Sequence, residues 1–153
     1  MTSVFKPSLA QNLLGKWQLH RKQIGTPSAQ ACGEAIIIKT PYSGIYAYAE
    51  SGTTTLENGK TLSFNQSYRF VWEADETLRI DKPIHTSPEN WQELHRFQFI
   101  KTPDGHLANH THICKPDVYK AQMLLMNPHR FALSYLITGP YKDYALETIY
   151  QKI

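Results

Sequence analysis

The chain of 153 residues has the length of one ordinary domain, so we expect a single domain over residues 1–153. Hydrophobic residues make up 41% of the chain and charged residues 19%, a composition that excludes intrinsic disorder. The net charge of +3 is not concentrated in any run of Lys and Arg, so charge alone does not indicate a nucleic-acid partner.

The first residues predict neither a targeting signal nor a membrane segment. Met1–Leu14 carries a lysine and a proline where a secretory signal would have its apolar core. The longest apolar runs, Ala35–Ile38 and Met123–Met126, are far shorter than the roughly 20 residues of a membrane-spanning helix. Cys32 and Cys114 are too few for a disulfide framework and lack metal or redox spacing. We therefore expect a cytoplasmic protein with free thiols and no membrane partner.

The first predicted strand contains a tryptophan that is suited to closing the end of a barrel. Alternation of period two places on one face Leu13, Gly15, Trp17, Leu19 and Arg21. A cation from the last strand, Lys152, would stack on the indole of Trp17, an interaction worth about 0.5–2 kcal/mol. The alternative is that Trp17 is simply a core aromatic residue.

Period-two alternation continues along the chain and predicts further strands. Thr61–Trp72, Phe131–Ile137 and Tyr144–Tyr150 each place aromatic and aliphatic side chains on one face. Residues 1–12 predict a short turn of helix or an arm, and Asp81–Asn90, with two prolines, predicts a long irregular connection. Turn residues separate roughly nine or ten strands at a spacing of about 8–12 residues, which indicates an all-β fold and favours a barrel over a sandwich.

Three residues with metal-ligating side chains alternate in one strand. His110, His112 and Cys114 share a face, which permits an ion to bind between them. Same-face side chains are nearly 7 Å apart along a flat strand, whereas zinc holds its ligand atoms at about 2.0–2.3 Å, so we predict no metal site. Two interpretations stay open: these side chains pack and hydrogen-bond inside the barrel, or His112 is a general acid or base, because histidine titrates near neutral pH.

Two polar turns follow this strand. Asp117 and Tyr119 come after Lys115-Pro116, where Asp117 either caps the turn or joins a site. Gly139–Tyr144 is the densest polar and aromatic turn, and its Lys142 either holds an anionic group or is simply solvated.

Several common catalytic signatures are absent from the sequence. It has no GxGxxG, GxxxxGK[ST], HExxH or GxSxG motif, which leaves dinucleotide enzymes, P-loop NTPases, zinc proteases and α/β-hydrolases without support. Aromatic residues are not interleaved with clustered basic residues, so we predict no nucleic-acid partner.

Three segments together resemble a family of unknown function found in bacteria and fungi and classed as lipocalin-like within the calycin group. They are Leu14–Leu19, His112–Tyr119 and Gly139–Tyr144. The most specific parts are the H-x-C-x-x-D-x-Y stretch and the G-P-x-K-D-Y turn, whereas the GxW opening is shared with many calycins. Members of that family usually carry arginine at the positions of Tyr141 and Lys152; lysine keeps the charge at the second position but is the weaker stacking partner.

The resemblance implies a calycin-type barrel without an assigned activity, because one fold hosts many functions. It also implies that a set of polar residues acts together, either as one site or as a hydrogen-bond network between strands. The set is His112, Cys114, Asp117, Tyr119, Lys142, Asp143 and Tyr144.

We therefore predict an antiparallel up-and-down β-barrel of the calycin or lipocalin type that binds a small, partly apolar molecule inside. A polar or anionic group of this molecule would meet His112, Asp117, Tyr119, Lys142, Tyr144 and Arg21. Its apolar part would contact Tyr68, Phe70, Trp72 and Tyr135. We predict neither a cofactor nor a metal, and a homodimer is compatible with the sequence.

Two other functions stay open. One is a small enzyme with His112 as general acid or base, oriented by Asp117 or Tyr119, and with Lys142 stabilising a developing anion. The other is a protein-interaction module with a fully packed barrel. A ferric haem is a further option among calycins, with an axial ligand chosen from His95, His110 and His112.

Overall fold

The computed structural model describes residues 8–153, except for the side chains of Ser87 and Pro88. One short helix, α1 (Leu9–Leu13), precedes eleven strands. The strands are β1 (Gly15–Gly25), β2 (Ala29–Lys39), β3 (Ile45–Leu56), β4 (Thr61–Ala74), β5 (Thr77–Ile84), β6 (Ser87–Gln98), β7 (Ile100–Thr102), β8 (Gly105–Cys114), β9 (Asp117–Asn127), β10 (Arg130–Thr138) and β11 (Asp143–Lys152). Among the residues described, no helix has the length and apolar character needed to cross a membrane.

The strands form one antiparallel sheet that curls into a nearly closed barrel. Their order is β6-β5-β4-β3-β2-β1-β11-β10-β9-β8-β7, so strands that follow each other in the chain lie side by side, except at β6 and β7. The first strand pairs with the last, from Trp17 opposite Lys152 to Gly25 opposite Tyr144. β6 and β7 end the sheet, and β6 packs against β8. The expected all-β, antiparallel up-and-down barrel is confirmed.

Alternation sorts the side chains of each strand into an inner and an outer set. In β1, Trp17 and Leu19 are buried, whereas Lys16, Gln18 and His20 between them are exposed. The buried apolar side chains form one continuous core, whose largest members are Trp17, Leu19, Ile37, Leu78, Phe97, Phe99, Met123, Phe131 and Tyr150.

The predicted irregular connection at Asp81–Asn90 is wrong. These residues belong to β5 and β6, which are joined by a turn at His85-Thr86. The ladder between β4 and β5 ends at Asp81, so Pro83, which has no N–H, costs no hydrogen bond to β4. Pro83 pairs with Trp91 of β6 beside a shift of register, a position where a sheet accommodates proline.

The short helix expected near the N-terminus is present as α1. Its capping box joins Ser8 and Gln11: the Gln11 N–H donates to Ser8 Oγ at 3.2 Å, and the Ser8 N–H donates to Gln11 Oε1 at 3.3 Å. Residues 1–7 of the predicted helix or arm lie outside the described residues.

α1 and the start of β1 close one end of the barrel. Trp17 is 1% exposed, and its Nε1–H donates to the carbonyl oxygen of Leu13 at 2.9 Å. The Trp17 ring meets Phe131 edge-on, with centroids 4.7 Å apart. Lys152 Nζ lies 4.9 Å from the centroid of the Trp17 ring and donates to the carbonyl oxygen of Asn12 at 2.8 Å. The cation expected beside the indole is therefore in contact with it.

Candidate functional site

A cavity of about 500 Å³ lies inside the barrel and is lined by side chains from every strand except β7. Its exposed lining residues are Gln30, Gln66, Lys82 and Cys114. Gln30 and Cys114 lie within one residue of a strand end, and Lys82 lies three residues before the β5–β6 turn, all at the end opposite α1. The cavity therefore opens at that end, while the Trp17 contacts close the other. This volume is within the range of small-molecule sites in proteins.

Most of the residues predicted to bind a ligand line this cavity. The lining includes Arg21, Tyr68, Phe70, His112, Tyr119, Tyr135 and Tyr144. Trp72, Asp117 and Lys142 are not part of it.

Trp72 lies on the expected face of β4 but at the wrong height. It is near the end of β4 that lies at the closed end of the barrel, where its ring stacks on Phe99 with centroids 6.2 Å apart. Its Nε1–H is buried without a hydrogen-bond partner among the described residues. Alternation fixes the face of a residue but not its depth along the barrel, which explains the difference.

Asp117, Tyr119 and Lys142 form a network at the mouth. Lys142 Nζ donates to Tyr119 OH at 2.9 Å and lies 3.2 Å from Asp117 Oδ2. The hydrogen bonds to Tyr119 and Asp117 raise the pKa of Lys142. A Cβ at Gly139 would lie 2.1 Å from Asp117 Oδ1, so the carboxylate packs directly on the glycine. The network joins the start of β9 to the turn before β11, and Asp117 is engaged by Lys142 rather than by His112.

A buried ion pair lies deeper in the cavity wall. Both terminal nitrogens of Arg21 donate to the Glu50 carboxylate, at 2.8 and 2.9 Å, and Arg21 Nε donates to Thr148 Oγ1 at 2.8 Å. Tyr48 OH donates to Glu50 Oε1 at 2.6 Å and lies 2.8 Å from Tyr150 OH. Side-chain exposure is 1% for Glu50 and 21% for Arg21. Burial opposes the charge of Arg21, but the bonds to Glu50 raise its pKa on balance, so the guanidinium stays charged, paired and fixed.

His95 is the most deeply buried titratable group facing the cavity. It is 0% exposed, its Nε2 lies 2.9 Å from Tyr135 OH, and its Nδ1 lies 3.2 Å from His110 Nδ1. Burial, with repulsion from His110 and His112, lowers the pKa of His95 to about 3, so the ring is neutral. Burial raises the pKa of Tyr135. Both ring nitrogens of His95 are engaged, which leaves neither for a haem iron.

The alternation of side chains in β3 and β6 contains a signal for Glu50 and His95, which the sequence analysis did not place in the site. Glu50 follows Tyr46 and Tyr48 at period two in β3, and His95 precedes Phe97 at period two in β6. A charged or titratable residue on an otherwise apolar face requires a buried partner. In the part of the chain that the structure describes, no group of three or more His, Cys, Asp or Glu side chains could hold a metal ion.

Comparison with known proteins gives a family and a fold. The model of a family described as "Family of unknown function (DUF6314)" matches residues 13–152. No curated protein sequence matches the chain.

Three solved structures share the fold. The S-type phycobiliprotein lyase CpeS from Guillardia theta aligns with a TM-score of 0.61 and 7% identity, over 97% of this chain and 94% of that chain. A de novo designed fluorescence-activating β-barrel aligns with a TM-score of 0.52 and 6% identity, over 97% of this chain and 100% of that chain. The barrel EF1p2_mFAP2b, bound to DFHBI, aligns with a TM-score of 0.50 and 14% identity, over 94% of this chain and 96% of that chain. At these identities the likeness shows the fold alone.

Proposed function

The chain belongs to the DUF6314 family, and we propose that it binds a small, partly apolar molecule with an uncharged polar group inside its barrel. The observation that carries this proposal is the cavity of about 500 Å³, closed at the Trp17 end and open at the other. An interior of this size differs from the fully packed barrel of an interaction module. A barrel of similar fold bound to DFHBI supports small-molecule binding by this architecture.

The apolar walls favour a flat ligand. Tyr48 and Phe70 stack with ring centroids 5.1 Å apart, and Tyr68 tilts against Tyr48 at 5.6 Å. Leu133 and Leu146 also line the cavity. Aromatic walls recognise aromatic rings through offset and edge-on contacts, which adds about 0.5–1.5 kcal/mol per pair to the burial of apolar area.

The charges of the cavity favour an uncharged polar group over an anionic one. Arg21 is neutralised by Glu50, and Lys142 is paired with Asp117. Lys82, a further cation of the lining, is exposed at the mouth, where solvent and salt screen its charge. An anion that entered the interior would lose hydration without meeting an unpaired cation among residues 8–153. Hydroxyl, carbonyl and amide groups avoid this cost and can bond to the tyrosines and to Arg21.

Two dyes with the same ring system test the proposal. N-phenyl-1-naphthylamine is uncharged, and 1-anilinonaphthalene-8-sulfonate is its anionic counterpart. We expect the uncharged dye to bind one molecule per chain, with enhanced fluorescence, at least about tenfold more tightly than the anionic dye, a difference of about 1.4 kcal/mol. No saturable binding of either dye would contradict the cavity site, and tighter binding of the sulfonate would contradict an uncharged ligand.

A matched pair of variants locates the binding. Thr54 lines the cavity near its mouth, whereas Thr55 is the next residue of β3 and is exposed on the outer face. Thr54→Trp should block the cavity and weaken dye binding about tenfold or more, and Thr55→Trp should leave it unchanged. Equal binding by both variants would place the dye outside the barrel. Native mass spectrometry of protein purified from its own host would then give the mass of any retained ligand.

A further inference from the structure

Three side chains form a continuous row of polar contacts through the barrel wall. His110 of β8 is partly exposed at the junction with β6, where the charges of Glu93 and Arg96 act on its imidazole. Its Nδ1 lies 3.2 Å from Nδ1 of the fully buried His95 of β6, whose Nε2 lies 2.9 Å from the hydroxyl of Tyr135 on β10. Tyr135 lines the cavity. The row thus leads from the barrel wall to the space that a ligand would occupy.

We propose that His110, His95 and Tyr135 are a proton relay, and that the Tyr135 hydroxyl donates a hydrogen bond or a proton to a carbonyl oxygen or ring nitrogen of the molecule in the cavity. This proposal rests on the proposed function, because it needs a ligand inside the barrel. It adds the chemical class of the ligand's polar group, an acceptor, and an acid–base role that small-molecule binding alone does not require.

The facing Nδ1 atoms allow only two arrangements of protons. A neutral imidazole carries one N–H, and a hydrogen bond between two ring nitrogens needs a proton on one of them. In the first arrangement His110 donates to His95, His95 donates through Nε2 to Tyr135, and the Tyr135 O–H is free to donate into the cavity. In the second, Tyr135 donates to His95 Nε2 and His95 donates through Nδ1 to His110. Each proton position therefore depends on its neighbour.

Protonation of His110 selects the first arrangement. An imidazolium has protons on both nitrogens, so His95 must accept at Nδ1 and keep its own proton on Nε2. Without a ligand we expect the second arrangement, because it gives the Tyr135 O–H an acceptor in His95 Nε2, 2.9 Å away. A fall in pH through the titration of His110 thus turns the Tyr135 hydroxyl from His95 toward the cavity.

Proton transfer along the row balances without another reactant. The Tyr135 O–H proton passes to the ligand acceptor, the His95 Nε2 proton passes to the Tyr135 oxygen, and the His110 Nδ1 proton passes to His95 Nδ1. His110 is left neutral with its proton on Nε2, and its Nδ1 now accepts from His95 Nδ1–H, which is the second arrangement. The positive charge moves from His110 to the ligand, and His95 is neutral before and after.

The surroundings of the row suit this role. His95 faces His110 and His112 from β8 and Tyr135 from β10, and burial with repulsion from the two histidines lowers its pKa to about 3. Burial and His112 lower the pKa of His110, Glu93 raises it and Arg96 lowers it. The groups that act electrostatically on Tyr135 are Tyr68, Tyr150, Arg21 and Glu50. His95 therefore passes protons without holding a charge.

The experiment is a titration of ligand-free, ¹⁵N-labelled protein from pH 8 to pH 4, with the imidazole nitrogens observed by long-range ¹H–¹⁵N correlation. We expect His95 to stay neutral while its proton moves from Nδ1 to Nε2, with the same midpoint as the titration of His110. A His95 tautomer that does not change while His110 titrates would overturn the relay, as would a His95 that becomes an imidazolium in this range.

Two substitutions on β8 provide the matched comparison. His110→Gln removes the titrating neighbour that contacts His95 and should abolish the change of tautomer. His112→Gln removes a histidine of the same strand face whose ring centroid is 6.4 Å from that of His95, and the change should persist. The opposite pattern would overturn the proposal, and the wild-type titration decides by itself if a variant fails to fold. No ligand is needed, so loss of this signature with intact dye binding contradicts the relay alone, and the reverse contradicts the proposed function alone.

Discussion

Glu50 is the residue that determines the charge which the cavity wall presents to a ligand. Its carboxylate is buried and holds both terminal nitrogens of Arg21. Glu50→Gln keeps the shape but leaves the guanidinium without its counter-charge, and we expect a loss of stability on the order of 3–5 kcal/mol, because an uncompensated buried charge is costly. The same change should improve binding of 1-anilinonaphthalene-8-sulfonate relative to N-phenyl-1-naphthylamine, by about tenfold or more.

Dye titrations at pH 7 measure that change of preference. Glu34 is the matched control, since it pairs with Lys16 on the outer surface, where both side chains are about half exposed. Glu34→Gln should change neither stability nor dye preference appreciably, because exposed ion pairs contribute about 0–1 kcal/mol. An unchanged dye ratio in Glu50→Gln would show that Arg21 does not face the bound dye.

His95 should make the protein sensitive to mild acid. Its pKa falls from 6.5 in the unfolded chain to about 3 in the folded protein, so between these values the unfolded state binds more protons. Stability is therefore complete above about pH 6.5 and decreases on acidification by up to about 1.4 kcal/mol per pH unit until about pH 3. Urea unfolding should give a free energy of unfolding about 2 kcal/mol lower at pH 5 than at pH 7. In the His95→Gln variant this difference between the two pH values should be smaller. An equal loss in both proteins would assign the acid sensitivity to other groups.

The β8–β9 and β10–β11 turns pack directly against each other. Asp117 Oδ1 occupies the position where a Cβ of residue 139 would be, so Gly139→Ala must displace the carboxylate from Lys142. We expect Gly139→Ala to cost about 1–2 kcal/mol in a protein with Asp117 and much less in the Asp117→Ala background, where the clashing atoms are gone. A double-mutant cycle by chemical denaturation measures this coupling. Strictly additive effects would mean that the two turns are independent.

The sequence predicts the face on which a strand residue lies better than its depth in the barrel or its tertiary partners. Period-two alternation is local, and it correctly identified the barrel and the inward face that carries Arg21 and Tyr135. Depth and partnership are not local. Trp72 lies at the closed end because of the length of β4, and Lys142 meets Asp117 because two turns distant in sequence are adjacent in the barrel. The irregular connection predicted around Pro83 is wrong for the same reason, because only the register shows that β5 no longer pairs with β4 at Pro83.

The barrel as a whole is closed in two different ways. β1 and β11 meet through nine paired positions, from Trp17 opposite Lys152 to Gly25 opposite Tyr144. Between β6 and β8, no backbone ladder is present within residues 8–153, and the contact of His95 with His110 bridges the two strands. Side-chain contacts are less cooperative than a ladder of backbone hydrogen bonds. The junction of β6 and β8 is therefore the part of the wall where local opening should cost the least free energy.

Hydrogen exchange measured by mass spectrometry should reveal this asymmetry. We expect protection factors in β6 and in β8 beyond Leu107, where β7 stops pairing, to be at least about tenfold lower than in β1 and β11, a difference of about 1.4 kcal/mol in opening free energy. Acidification from pH 7 to pH 5 should widen the gap after correction for intrinsic exchange, because burial and His112 lower the pKa of His110 in the closed wall, so that protonation of His110 favours the open state. Equal protection around the whole barrel would mean that side chains alone hold β6 to β8 as firmly as backbone pairing holds β1 to β11. The row from His110 to Tyr135 crosses the wall at this junction of β6 and β8. Local opening there would therefore both interrupt the proposed proton transfer and expose the cavity.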